Sequence, residues 1–155
     1  MPYDTFATTY HVSPFGSNTP PYDTYAKAAT DPRSAIDSAS GYGDTVLIHA
    51  GSYDVDTAIT LPTGLAVVGV SSDSSRLVWI GPYFPTSRIM LTLTGDHTIR
   101  DLGLINSYPS QVESVEGLFV RAASPGTVRV TNCRFEQATL RGKSDDTVEI
   151  SNCTF

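Results

Sequence analysis

Thr127-Val-Arg-Val-Thr-Asn-Cys-Arg-Phe135 is followed, twenty residues later, by Thr147-Val-Glu-Ile-Ser-Asn-Cys-Thr-Phe155, and the two stretches say nearly the same thing. Val128, Val130 and Cys133 match Val148, Ile150 and Cys153, whereas Arg129 matches Glu149. Apolar residues that alternate with polar ones are what a strand with one buried face requires. A short period of this kind marks a chain that winds. One turn cannot bury its own apolar face and must stack on the next, which is the logic of a solenoid.

The repeat extends outward from this pair. Leu118-Phe-Val-Arg121 falls on Ala138-Thr-Leu-Arg141 at the same spacing, so a whole coil recurs and not a single strand. Further back, Ile99-Arg-Asp-Leu-Gly-Leu104 aligns on Val130–Phe135, with Asp101 at the position of Asn132 and Asn152. Asparagines at a bend between two strands can bond one another along the axis, because the amide both donates and accepts. Leu65–Val70 and Thr45–Ile48 continue the series. The markers Ile48, Val67, Ile99, Val130 and Ile150 are then separated by 19, 32, 31 and 20 residues. Two coils are minimal, and two carry about a dozen extra residues each, in Gly81–Arg88 and Asn106–Gly117. Those stretches are rich in Pro, Ser and Tyr and read as loops. The expected fold is all-β, a right-handed parallel β-helix of about five rungs.

Before the rungs lies a segment of different character, residues 1–44, followed by the β-helix proper, 45–155. Ala28, Ala29, Ala35, Ile36 and Ala39 predict one short amphipathic helix or two pieces broken at Pro32. Asp31 followed by Pro32 is a good helix start, as N-cap and N1. A short helix here has a job, since the first coil of a solenoid leaves its interior open and needs a cap.

Composition narrows the class. At 155 residues the chain is a single domain with room for a core, and 40% apolar and 17% charged residues describe an ordinary soluble protein. The net charge of −6 argues against nucleic acid, whose phosphates call for clustered Lys and Arg. No stretch approaches the ~20 apolar residues of a membrane span. The N-terminal Met-Pro-Tyr-Asp-Thr-Phe lacks a basic and then apolar signal segment. The expectation is therefore a removed signal or an exit by another route, as in a virus particle. Two cysteines are too few for a disulfide framework. Cys133 and Cys153 stack one rung apart, and parallel side chains hold their Cβ atoms too far apart for a good bridge, so buried free thiols are expected. No zinc pattern is present and no cofactor is implied.

The order Val12-Ser-x-x-Gly-Ser-Asn-x-Pro-Pro-Tyr22, Ala-rich helix, Gly43-Asp-Thr-Val-Leu-Ile-x-x-Gly-x-Tyr53 resembles the opening of right-handed β-helix proteins of the pectin-lyase-like superfamily. Secreted bacterial proteins and phage tail spikes and fibres both use it. The resemblance runs over about residues 10 to 70, and the repeats continue it. It implies a fold and no single activity, since the superfamily hosts lyases, hydrolases, esterases, adhesins and spikes.

Members that cleave or de-esterify uronate polymers set carboxylates and an Arg on the outer face of one strand. The matching residue types here are Arg100, Asp101, Arg121, Arg129 and Arg141. Arg121 and Arg141 stack as neighbours and have the chemistry to grip an acidic sugar. Against catalysis, the pectinesterase-type Gln-Asp-Thr-Leu motif is missing, and no rung offers the close carboxylate pair of glycoside cleavage. Asp145 and Asp146 read as a turn, and Asp101 as a bend residue. His11, His49 and His97 are scattered and read as surface or turn histidines. The aromatic loops are the stronger binding candidates: Trp79, Tyr83 and Phe84 in one, Tyr108 in the next. Aromatic rings cover sugars and anchor protein interfaces.

Taken together the sequence predicts a non-catalytic structural or adhesive module of a phage tail spike or fibre, or a similar extracellular surface protein. The expected partners are a homotrimer or further coils, since the sequence stops at Phe155 in mid-repeat, and a cell-surface polysaccharide. The alternative is a secreted polysaccharide-active lyase or esterase, or a carbohydrate-binding module.

Overall fold

A computed structural model describes residues 7–81, 89–107, 118–141 and 147–155. The chain opens with β1 (Thr9–Val12) and α1 (Pro32–Ser38) and then winds. One circuit is β2 (Thr45–Ile48), β3 (Gly51–Val55) and β4 (Ile59–Leu61); the next is β5 (Ala66–Gly69), β6 (Ser75–Trp79) and β7 (Ile89–Thr94). Then come β8 (His97–Arg100), β9 (Gly103–Asn106) and β10 (Leu118–Ser124), followed by β11 (Thr127–Thr131), β12 (Arg134–Glu136) and β13 (Ala138–Arg141). β14 (Thr147–Ser151) begins a further turn. Each circuit gives one strand to each of three sheets, ordered β1-β2-β5-β8-β11-β14, β3-β6-β9-β12 and β4-β7-β10-β13. Among the described residues every strand pairing in these sheets is parallel. The chain is a parallel β-helix.

The alternation read from the sequence sets which side chains fill it. In the first sheet Val46, Val67, Ile99, Val130 and Ile150 face inward as one row along the axis. The first four are fully buried, and each such side chain contributes on the order of 1.5–3 kcal/mol of transfer free energy. The expected row differs by one member. Ile48 sits over Gly69, and it is Val46 that sits over Val67. A slip of two residues keeps every side chain on its own face, so the apolar pattern alone cannot exclude it. Packing can. A Cβ on Gly69 would run into the Asp101 carbonyl and stand 2.9 Å from Ser75 Cβ, so only glycine fits opposite Ile48.

The bends also follow the repeat. Asp101, Asn132 and Asn152 all adopt left-handed backbone, with φ of 58°, 53° and 52°. Asp and Asn tolerate that region better than other residues bearing a Cβ. Asn132 Nδ2 donates to Asp101 Oδ1 at 3.1 Å, joining one coil to the next. Phe135 and Phe155 stack with ring centroids 4.8 Å apart and planes 8° from parallel. Cys133 and Cys153 are free thiols, and each donates to backbone carbonyls, Cys133 to Thr131 and Cys153 to Ser151.

α1 starts where Asp31-Pro32 predicts. Asp31 Oδ1 accepts the Ser34 N–H at 2.9 Å, and Pro32 occupies the first turn, where its missing N–H costs nothing. Ala35 and Ile36 are fully buried in the same apolar cluster as the rungs, and the helix packs on β1 and β2. β1 was not anticipated as a strand. Its residues pair in register with Thr45–Ile48, so the N-terminal segment adds a strand to the first sheet. No helix among the described residues is long and apolar enough to cross a membrane.

Candidate functional site

Gly43-Asp44-Thr45-Val46 is the most motif-like stretch, and the structure gives it a structural role. Asp44 is buried and accepts from Thr8 N–H, Ser40 N–H and the Ser40 hydroxyl at 2.8–2.9 Å. Burial pushes its carboxyl upward, but these hydrogen bonds outweigh burial and hold it below the ordinary aspartate value. Asp44 therefore clips the residue before β1 and the end of the helical segment to the start of the first coil.

The histidines are not simple surface residues. His97 begins β8 with its ring buried. Thr94 N–H donates to Nε2 at 3.1 Å, so Nε2 is unprotonated; Nδ1 then carries the proton and donates to the Leu65 carbonyl at 3.1 Å. Burial lowers its pKa, partly opposed by the Leu65 carbonyl and by Asp96. His11 and His49, distant in sequence, meet outside the first coil. His11 Nδ1 and His49 Nε2 lie 2.9 Å apart with the rings 14° from parallel, so one nitrogen donates and the other accepts. Tyr25 meets His49 edge-on at 4.7 Å, and the Tyr53 hydroxyl donates to the His49 carbonyl at 3.0 Å. Burial and then the neighbouring His11 push the His49 pKa down, and burial pushes the Tyr53 hydroxyl up to about 12. No sequence spacing announces this group. Parallel pairing of β1 with β2, with Val12 opposite Ile48, creates it.

Trp79 lies within the core and not on a loop face. It is 4% exposed, and its ring packs where a Cβ on Gly81 would come within 2.8 Å. Among the described residues its Nε1 has no hydrogen-bond partner. An indole so placed is not open for stacking on a sugar. Tyr83, Phe84 and Tyr108 lie outside the described residues, as do most of the two loops and the Asp145–Asp146 turn. Arg121 and Arg141 stand opposite one another in the β10–β13 register, as the repeat requires.

Three outward arginines, Arg100, Arg129 and Arg134, are held in ion pairs. Arg129 Nε meets Glu149 Oε2 at 2.8 Å, across the register that the repeat gives them. Arg100 meets Asp101 at 2.8 Å, and Arg134 meets Glu136 at 2.6 Å and Asp73 at 3.2 Å. Asp101 is thus occupied by Arg100 on one oxygen and Asn132 on the other. Beside Arg129, on the outer face of the first sheet, a trough of about 220 Å³ is lined by Tyr42, Gly64, Asp96, His97, Thr98 and Arg129. A second cleft of about 190 Å³ runs between Asp31, Arg33, Asp54 and Asp56 at the helix start. Among the described residues no group of three or more His, Cys, Asp or Glu is placed to hold an ion.

No family model matches the chain, and no curated protein matches it by sequence. Among solved structures it is similar to a pectin methylesterase variant in complex with a hexasaccharide, with a TM-score of 0.58 and 15% identity. The match covers 96% of this chain and 55% of that one, so the chain spans about half the length of that protein. The likeness is one of fold, that of a parallel β-helix.

Proposed function

We propose that this chain is a non-catalytic structural and adhesive β-helix module of a phage tail spike or fibre, or of a comparable extracellular surface protein. In this reading it assembles as a homotrimer and touches cell-surface glycan through its outer faces. The observation that carries the reading is the pairing of outward charge. Arg100, Arg129 and Arg134 are each held by a carboxylate on their own coil or a nearby one. Bond cleavage needs an acid or base whose proton is free to move, whereas a binding face needs groups held still.

Two measurements test it. Light scattering on a sizing column across a range of concentrations should give three times the chain mass, and a concentration-independent monomer would sink the trimer. Titration with neutral and acidic oligosaccharides should give binding without turnover, and absence of any binding would sink the adhesive role.

One observation favours a second reading, a secreted polysaccharide-active esterase or lyase. The chain has the fold of a pectin methylesterase, and Arg121 and Arg141 stand in register on one strand pair. Under this reading a methyl-esterified polygalacturonate would release methanol or unsaturated ends, and Arg121→Ala would abolish the release. No product from either polymer form would end it.

A further inference from the structure

We infer that the trough beside Arg129 on the outer face of the first sheet is a saccharide seat for an uncharged sugar. This rests on the adhesive reading above and gives it a place and a ligand class.

The trough is made by three coils and one preceding residue. Across the first sheet the outward row runs Thr45, Ala66, Thr98, Arg129, Glu149, one residue per rung at about 4.8 Å. Thr45, Ala66 and Thr98 are all small, so the surface stays low along this part of the row, and Arg129 rises beyond it. Tyr42 closes the near side. The residue is 69% exposed, yet its ring is seated. It rests on the backbone of Gly64, where a Cβ would come within 2.7 Å of the Tyr42 Cγ. Gly64 has φ +83° and its N–H donates to the Asp96 carbonyl at 2.8 Å, so the turn under the ring is fixed to the next coil.

The volume is about 220 Å³, a little below the usual range of about 300–1,000 Å³ for small-molecule sites. That accommodates one pyranose with its hydroxyls. The lining has the two parts sugar recognition needs: an aromatic surface for C–H groups and a few fixed polar groups for hydroxyls. Both polar ends are held before any ligand arrives. Asp96 Oδ1 accepts the Thr127 N–H at 2.8 Å, and Arg129 Nε is held by Glu149. The guanidinium carries four further N–H donors, and the Asp96 carboxylate a second oxygen.

Charge sets the ligand class. Arg129 is neutralised by Glu149, which leaves Asp96 as the uncompensated charge of this group. A uronate would meet a carboxylate at the trough and a chain of net charge −6. A neutral sugar meets no such repulsion.

The test is calorimetric titration of the chain with cellohexaose, maltohexaose and hexagalacturonate. Variants Tyr42→Ala and Tyr25→Ala are compared, Tyr25 being an exposed aromatic ring away from the trough. Matching urea midpoints check that both variants are folded. Binding of a neutral hexaose, weakened tenfold or more in Tyr42→Ala and unchanged in Tyr25→Ala, is expected. Neutral binding that Tyr42→Ala leaves intact would overturn the trough and leave the adhesive reading standing. Hexagalacturonate binding more tightly than both neutral hexaoses would overturn the ligand class. No binding of any of the three would overturn both readings together.

Discussion

Replacing His97 by Leu removes a buried side chain that two backbone groups depend on, and the cost can be worked from the geometry. In the native chain Thr94 N–H and the Leu65 carbonyl each bond one ring nitrogen at 3.1 Å. Leucine fills a similar volume and satisfies neither. Each backbone group left unpaired away from water costs about 1–3 kcal/mol, and leucine recovers part of this through its own burial. The net expectation at pH 8 is a loss of about 2–3 kcal/mol, read as a lower urea midpoint with an unchanged m-value. His97→Asn, whose amide both donates and accepts, should recover part of the loss. The pH dependence is an independent check. The native His97 pKa is lowered, so above about 6.5, the unfolded value, both states are neutral and the full stability is present. Below it the unfolded chain binds a proton that the native chain refuses, and stability falls as pH falls. His49 acts in the same direction. Between pH 8 and 5.5 the wild-type chain should therefore lose stability more steeply than His97→Leu. Equal stability of the two at pH 8, or parallel pH curves, would refute the roles assigned to the ring nitrogens.

Other outcomes follow from the same physics. Ile99→Ala, in a fully buried position between Val67 and Val130, should cost about 3–4 kcal/mol. Ile150→Ala, on the same row but 48% exposed, should cost under about 1 kcal/mol in the same melts, and equal costs would contradict the burial gradient. Asn132→Ala should destabilise by about 1–2 kcal/mol because alanine pays for left-handed backbone, whereas Asn132→Gly should lose less. Cys133 is buried, and burial pushes its thiol up to about 12, so a thiol reagent should modify Cys153 first in the folded chain. Mass mapping of the first adduct to Cys133 would contradict that order.

The winding was legible because inward positions must match a neighbour one rung away. Val130 and Ile150 show it directly, and the bends show it through Asp101, Asn132 and Asn152, where left-handed backbone restricts the choice of residue. Register was less legible where the period-2 pattern permits a slip of two, as at Ile48. Only Gly69, which has no room for a Cβ, breaks that degeneracy, and its reason lies in the Asp101 carbonyl on the following coil. β1 was missed for a related reason. Thr9–Val12 carries one fully buried residue, Val12, and four residues are too few to show alternation.

The candidate site was harder to read because outward positions answer to no repeat. Trp79 looked available since tryptophan beside Gly-Pro suggests a loop, but it ends a strand whose alternate residues Ser75 and Leu77 point inward, and it points with them. His11 and His49 are brought together by pairing that neither sequence neighbourhood signals. The trough leaves still less trace. It depends on Gly64, Ala66 and Thr98 being small, and smallness on an outer face is what any unselected surface also shows. In a solenoid the inward rows are constrained by stacking, and each outward row is free to change without disturbing them. A fold of this kind can therefore keep its winding while its surface chemistry drifts, so a functional face must be argued from the placement of particular side chains and tested there.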